Sequence, residues 1–312
     1  MPPRASKNRK DRLFETLSAF FATLVMALGL LLALIMFRES LPALRKFGAT
    51  FMVSRVWDPV GEKFGALPFI YGTLVTSFIA ILIAMPLSVG AAIFINDFAP
   101  QWLKKPVSLL AELLAAIPSV IYGLWGVFVL VPILRTVFMK PMAKHLGWIP
   151  IFKGPVYGPS VFAASVLLSI MIVPFILSVS REVLATVPER QKEAVLALGG
   201  TRWEMIRTVI GQHCLPGIFG ATVLGLGRAL GETMAVTMVI GNRPNIFFSL
   251  FDQGYSMAAV IANEFAEADS LQLSSLILIG LLLFLVTFTV NLAAKWILAR
   301  MVKNAPKGNQ AA

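Results

Sequence analysis

Six long apolar runs separated by polar segments set the pattern of the chain, at residues 16–37, 69–95, 107–134, 161–179, 218–240 and 271–294. A helix needs roughly 20 residues to cross a hydrocarbon core about 30 Å thick, so the pattern predicts six transmembrane helices and no soluble fold. Prolines and glycines interrupt several runs: Gly72, Pro86 and Gly90 in the second, and Pro118, Gly123, Gly126 and Pro132 in the third, which also holds Glu112. A proline frees a backbone carbonyl that lipid cannot satisfy, which implies a packed bundle rather than independent helices.

The connecting segments differ in character. Residues 1–15 are basic, and the tail at 295–312 is basic again. The first run is too long for the core of a signal peptide, and Arg38-Glu39-Ser40-Leu41-Pro42 follows it in place of a small-residue cleavage site, so it reads as a retained span within a permease domain at 16–294. The loop at 135–160 is rich in proline and glycine. In the segment 241–270, Met257, Val260, Ile261 and Phe265 have helical spacing and predict a surface helix lying against the bundle.

Composition sharpens the class. Hydrophobic residues make up 57% of the chain and charged residues 14%, with a mean hydropathy of +0.80, which defines an all-α polytopic membrane protein. The 312 residues hold six spans and their loops, with no room for a soluble catalytic domain besides. In a soluble protein the net charge of +11 would suggest nucleic acid as a partner. Here the basic residues flank apolar runs, so membrane lipid is the expected neighbour and no nucleic acid is. Sixteen Lys and Arg fall in the four segments that place both termini in the cytoplasm, ten in the outer loops, and Arg228 alone lies within a run.

Enzymatic chemistry finds little support. Cys214 is the single cysteine, which excludes an internal disulfide, and it reads as a packing residue. His145 and His213 lie in separate segments without metal-ligand spacing, so both read as structural and no metal is expected. Gly225, Gly227 and Gly231 miss the dinucleotide fingerprint by one position, and no strand precedes them. Gly227 and Gly231 instead have the G-x-x-x-G spacing that lets another helix approach closely.

The fifth run carries the charges that need a reason. Arg228 and Glu232 are four apart, on one helical face, and can pair. A charge at the bilayer centre costs roughly 2.5–3.5 kcal/mol on insertion scales, so such residues line a pathway or pair with each other. One reading is an ion pair that fixes packing between subunits. The other makes Arg228 the cation that lowers the barrier for an anion, its planar fork suited to phosphate, with Glu232 accepting a hydrogen bond from a protonated ligand. Thr233 and Thr237 supply hydroxyl donors to such a path, or else bond to their own helix backbone.

The polar segment 181–217 predicts a bent helix pair. Thr186 with Glu189 and Thr201 with Glu204 both have capping-box spacing, and Gly199-Gly200 supplies a stop between them. Such a pair suits docking in a partner's cleft, or lying on the bilayer as an amphipathic connector. Glu193-Ala194, then Gly199 and the hydrophobics Trp203, Ile206 and Val209, resembles the EAA loop of ABC importer permeases, which seats in the ATPase subunits. The resemblance makes Glu193, Ala194 and Gly199 docking residues. Gly211-Gln212 stands where that family usually has Leu-Pro, a departure that bears on the second helix, while Pro216-Gly217 matches its later Pro-Gly.

Further stretches are similar to the PstC-type permeases of ABC phosphate importers: Tyr71 to Ser77, Glu112 to Gly123, Gly225 to Gly241, and Ala262 to Ala268. This resemblance covers most of the chain from Phe47 onward. It implies the type I importer (MetI-like) fold, an inner-membrane location and phosphate as cargo. It also implies a heterodimer with a homologous PstA-type permease, two cytoplasmic PstB-type ATPase subunits that hydrolyse the ATP, and a periplasmic PstS-type phosphate-binding protein. Independently, no G-x-x-x-x-G-K followed by Ser or Thr occurs, so no cofactor is expected in this chain and its energy source is a partner or an ion gradient. The residues alone leave open a permease for sulfate or molybdate, a secondary anion transporter, and a receptor or scaffold without transport.

Overall fold

The computed structural model describes residues 9–246 and 248–304, so parts of the basic lead and tail lie outside it. Among the described residues, six helices are long and apolar enough to cross a membrane: Leu13–Phe47, Leu67–Phe98, Ser119–Leu146, Val161–Ala185, Cys214–Gly231 and Ser270–Met301. They differ in how deeply they pack. The apolar window of the fourth is 67% buried, whereas that of the first is not buried at all. The fourth span is therefore the centre of the bundle, and the first faces outward.

The central helix is built to be gripped. Ser160 caps it by accepting the Ala163 amide at 3.2 Å, and Leu167, Leu168, Met171, Ile172 and Ile176 are fully buried along it. The second span lies alongside, joined where the Ser88 hydroxyl donates to the Val173 carbonyl at 3.1 Å. The fifth span also packs closely on it, because Gly217 and Gly225 bring its backbone against Val183 and Ile176. The first span is tied to the sixth near its end: Ser274 Oγ accepts the Ala43 amide at 3.1 Å and donates to the Glu39 carbonyl at 2.9 Å.

The third span departs from the expected 107–134. Helix Gln101–Ala116 ends, Ile117 turns extended, and a new helix starts at Ser119. Pro118 is the cause, since it lacks an amide proton and its ring disfavours helical geometry at Ile117. The Tyr122 hydroxyl bridges the break by donating to the Leu114 carbonyl at 2.8 Å, which satisfies one of the carbonyls the ended helix leaves. Beyond Trp125 the helix widens into π turns at Gly126–Leu130 and Leu134–Met139, either side of Pro132. It runs on through Lys140–Leu146, so the first part of the expected loop 135–160 is helical.

One end of the bundle is a locked assembly. The expected helix in the segment 241–270 is present as Met257–Glu264, but its Met257, Ala258, Ala259 and Val260 are buried rather than resting on the surface. Gly72 admits the Tyr255 carbonyl against the second span, and the Thr73 hydroxyl accepts the Met257 amide at 2.9 Å. Edge-to-face contacts link Phe64, Trp57, Phe69 and Tyr255. Glu264 gathers three donors, from Trp57 at 2.9 Å, Gln272 at 2.9 Å and Tyr255 at 3.4 Å. Burial pushes the Tyr255 phenol up to about 12, opposed by the bond from Asn263 and aided to a smaller degree by the charge and hydrogen bond of Glu264.

Candidate functional site

Two places on one helix carry the candidate chemistry. The helix starts at Thr201, whose hydroxyl accepts the Glu204 amide while the Glu204 carboxylate accepts the Thr201 amide, a complete capping box. These bonds hold the exposed Glu204 carboxyl below its usual range, the backbone amide of Thr201 contributing most. From Arg202 the helix passes through a π turn at Ile206–Ile210 and continues as Gly211–Gly231. The position where Gly211-Gln212 replaces Leu-Pro is thus helical and unbroken.

The helix before it is Glu189–Ala197. Its expected capping box from Thr186 does not form. Thr186 instead closes the fourth span, its hydroxyl donating to the Val183 carbonyl at 2.7 Å, and Pro188 takes the capping position. The far end is as expected. Gly199 adopts φ +84°, its amide reaches the Leu196 carbonyl, and the Gly200 amide reaches that of Val195, both at 3.0 Å. This is a Schellman stop, which a residue with a side chain would strain. Glu193, Ala194 and Gly199 are all exposed at this bend.

Lys192 faces the other way. It is buried beside the end of the second span and forms ion pairs with Asp97 at 2.7 Å and Glu189 at 3.1 Å. Burial works against its charge, but the bonds to Asp97 and Glu189 outweigh it and hold the ammonium above its usual range. No local pattern marks this contact, which joins residues 95 apart.

At the other end of the long helix, the expected pairing of Arg228 with Glu232 is absent. The helix stops at Gly231, and a separate one begins at Met234. Glu232 falls in the break, one residue before the capping position Thr233, and accepts the Ala235 amide of the new helix's first turn at 3.3 Å. Arg228 is left half-buried with its guanidinium 5.8 Å from the Phe175 ring, and its Nε is buried without an acceptor. Such an atom is costly unless something supplies the missing bond. Thr233 donates to the Gly231 carbonyl at 3.2 Å and Thr237 to the Thr233 carbonyl at 2.7 Å, so both hydroxyls bond to backbone here. A Cβ at Gly227 would make only ordinary contact with Asn291, and one at Gly231 would meet nothing within 4 Å, so the expected close helix approach at these two glycines is not seen.

The bundle matches solved transporters in fold. Against the MetNI methionine ABC transporter in an inward-facing form the TM-score is 0.56 at 18% identity, covering 75% of this chain and 94% of the other. Against a bacterial ABC transporter that imports the polysaccharide alginate it is 0.57 at 18% identity, covering 93% and 99%. The fold is that of the type I ABC importer permeases, in agreement with the family match. Residues 84–303 match the family described as "binding-protein-dependent transport system inner membrane component". The chain belongs to that family. It is 44% identical over 95% of its length to a protein of Haemophilus influenzae named phosphate transport system permease protein PstC, covering 96% of that chain. To the protein of the same name from Mesorhizobium japonicum it is 46% identical, over 93% of this chain and 90% of the other. A probable PstC of Methanocaldococcus jannaschii is 39% identical over 91% and 92%.

Proposed function

We propose that this chain is the permease subunit of an ATP-driven importer and carries inorganic phosphate. The observation that carries the reading is the buried, acceptor-free Nε of Arg228 in a membrane helix. A guanidinium that stays charged and offers parallel donors suits a tetrahedral oxyanion, and the names of the relatives support phosphate as that anion.

The remaining parts follow from the same reading. A homologous PstA-type permease completes the pathway, two PstB-type ATPases seat on Glu193, Ala194 and Gly199, and a PstS-type binding protein delivers phosphate to the opposite end. Both termini are cytoplasmic, on the side of the basic lead and tail. Movement of the ATPases reaches Arg228 along one continuous helical stretch, Arg202 to Gly231, of roughly 45 Å at 1.5 Å per residue, with a π turn and Pro216 along it.

Purification of the complex and uptake of labelled phosphate into vesicles test the reading. The ATPase subunits are expected to co-purify with the native chain and to be lost on Glu193→Lys, and uptake is expected to require them, ATP and the binding protein. Uptake by this chain alone would mean a secondary transporter, and uptake of sulfate in place of phosphate would mean a different oxyanion.

A further inference from the structure

We propose that the ion pair between Lys192 and Asp97 is a strut through which the docking loop moves the second span, and that breaking it separates ATP hydrolysis from transport without detaching the ATPases. The proposal rests on the reading that residues 189–205 contact those ATPases.

The geometry points both ways across one helical turn. Glu193 is exposed toward the partner side, while Lys192, one residue earlier, is buried toward the bundle. Its ammonium meets Asp97 Oδ1 at 2.7 Å, and both side chains are only 6% exposed. The second carboxylate oxygen accepts from the Asn96 side chain at 3.2 Å, and Lys104 holds the Asn96 carbonyl at 2.7 Å, so Asp97 sits in a fixed frame. These residues belong to the π turn Phe94–Phe98 that ends the second span. The same turn meets the other docking helix, with the Arg202 guanidinium 5.7 Å from the Phe98 ring. An apolar cleft between Phe94, Phe98, Trp203 and Ile206 lies beside it.

A buried ion pair is a poor stabiliser compared with an apolar pair, because both ions lose their water. Its mechanical character is different. Pulling the charges apart strips Asp97 of its cation and leaves Lys192 only the exposed Glu189, so the contact resists extension where an apolar contact slides. The docking loop is bonded covalently to the fourth and fifth spans, since Val161–Ala185 precedes it and Arg202 begins the long helix. The second span has no covalent link to the loop, and the Lys192–Asp97 ion pair joins the two at the end opposite the Gly72–Tyr255 lock.

The test compares phosphate moved per ATP hydrolysed in vesicles holding the complete complex with its binding protein. Lys192→Met and Asp97→Asn are expected to keep the ATPase subunits bound and hydrolysing while the ratio falls roughly tenfold, the scale of a typical coupling free energy. The charge-swapped double variant Lys192→Asp/Asp97→Lys is expected to recover most of it. A native ratio in the single variants, or no recovery on swapping, would overturn the strut. Should the single variants fail to assemble, Asp97→Glu decides, since it keeps the pair but lengthens it by one methylene: a lowered ratio supports the proposal and an unchanged one overturns it. If the native complex hydrolyses ATP and moves no phosphate, the substrate reading fails instead. The strut is then judged by whether the variants lose stimulation of ATP hydrolysis by the binding protein, and retained stimulation overturns it.

Discussion

Arg228 and Glu232 lie four residues apart and serve different ends: Glu232 accepts the Ala235 amide at 3.3 Å across a helix break, while Arg228 keeps a buried Nε with no acceptor. The break separates a cation from the carboxylate that would otherwise neutralise it. On the proposed reading, an anion at Arg228 would meet a donor fork, and the Glu232 carboxylate would be the candidate acceptor. That combination suits a ligand carrying both negative charge and a proton.

Glu232→Gln tests the acceptor half of this arrangement. Glutamine keeps a carbonyl oxygen for the Ala235 amide, so the helix start survives, but the charge and its preference for a protonated ligand are gone. Phosphate offers a hydroxyl to such an acceptor and sulfate at neutral pH does not. The variant is expected to lose discrimination against sulfate in a competition assay of labelled phosphate uptake by the full complex. Transport retained with unchanged selectivity would exclude Glu232 from the discrimination.

Gly72 is expected to be intolerant of even a methyl group. An added Cβ would run into the Tyr255 carbonyl, a backbone atom that cannot swing away. Gly72→Ala should therefore destabilise by about 1–3 kcal/mol, the usual cost of overpacking, and lower the Tm of the purified complex. Gly29→Ala is the control, since nothing lies within 4 Å of a Cβ there. An unchanged Tm for Gly72→Ala would contradict the close approach.

The six spans were legible because each is a long apolar run, and lipid enforces length more strictly than it enforces sequence. The Gly199 stop and the Thr201 cap were legible for a different reason, as both depend on residues within one turn. What was missed has physical causes. Hydropathy runs unbroken through Ile117-Pro118, so an apolar count merges two helices that the proline separates. Thr186 has the spacing of a cap, yet the fourth span extends to Ala185 and claims it first. The Arg228–Glu232 pair presumed a continuous helix, whereas the chain breaks at Glu232 and Thr233 with no proline to announce it. The Lys192–Asp97 contact joins segments 95 residues apart and leaves no local trace.

Tyr255 makes the locked end sensitive to alkali. Its phenol is pushed up to about 12, against about 10 in an unfolded chain. The folded state thus holds the proton more tightly. The stability that this contributes is fully present below about pH 10 and is lost as the pH rises from there toward about 12. Thermal unfolding of the purified complex is expected to show a falling Tm across that window, with a shallower fall in Tyr255→Phe. Equal slopes for the two proteins would remove Tyr255 as the cause.

Uptake of labelled phosphate by vesicles holding the complex with Arg228→Ala tests the role of the membrane arginine most directly. Charge-assisted bonds are worth about 1.5–3 kcal/mol, and their loss is expected to cut uptake roughly ten- to a hundredfold at 1.4 kcal/mol per factor of ten, with the ATPase subunits still bound and Arg228→Lys recovering part of the rate. Uptake at the native rate in Arg228→Ala would contradict a phosphate path through this helix.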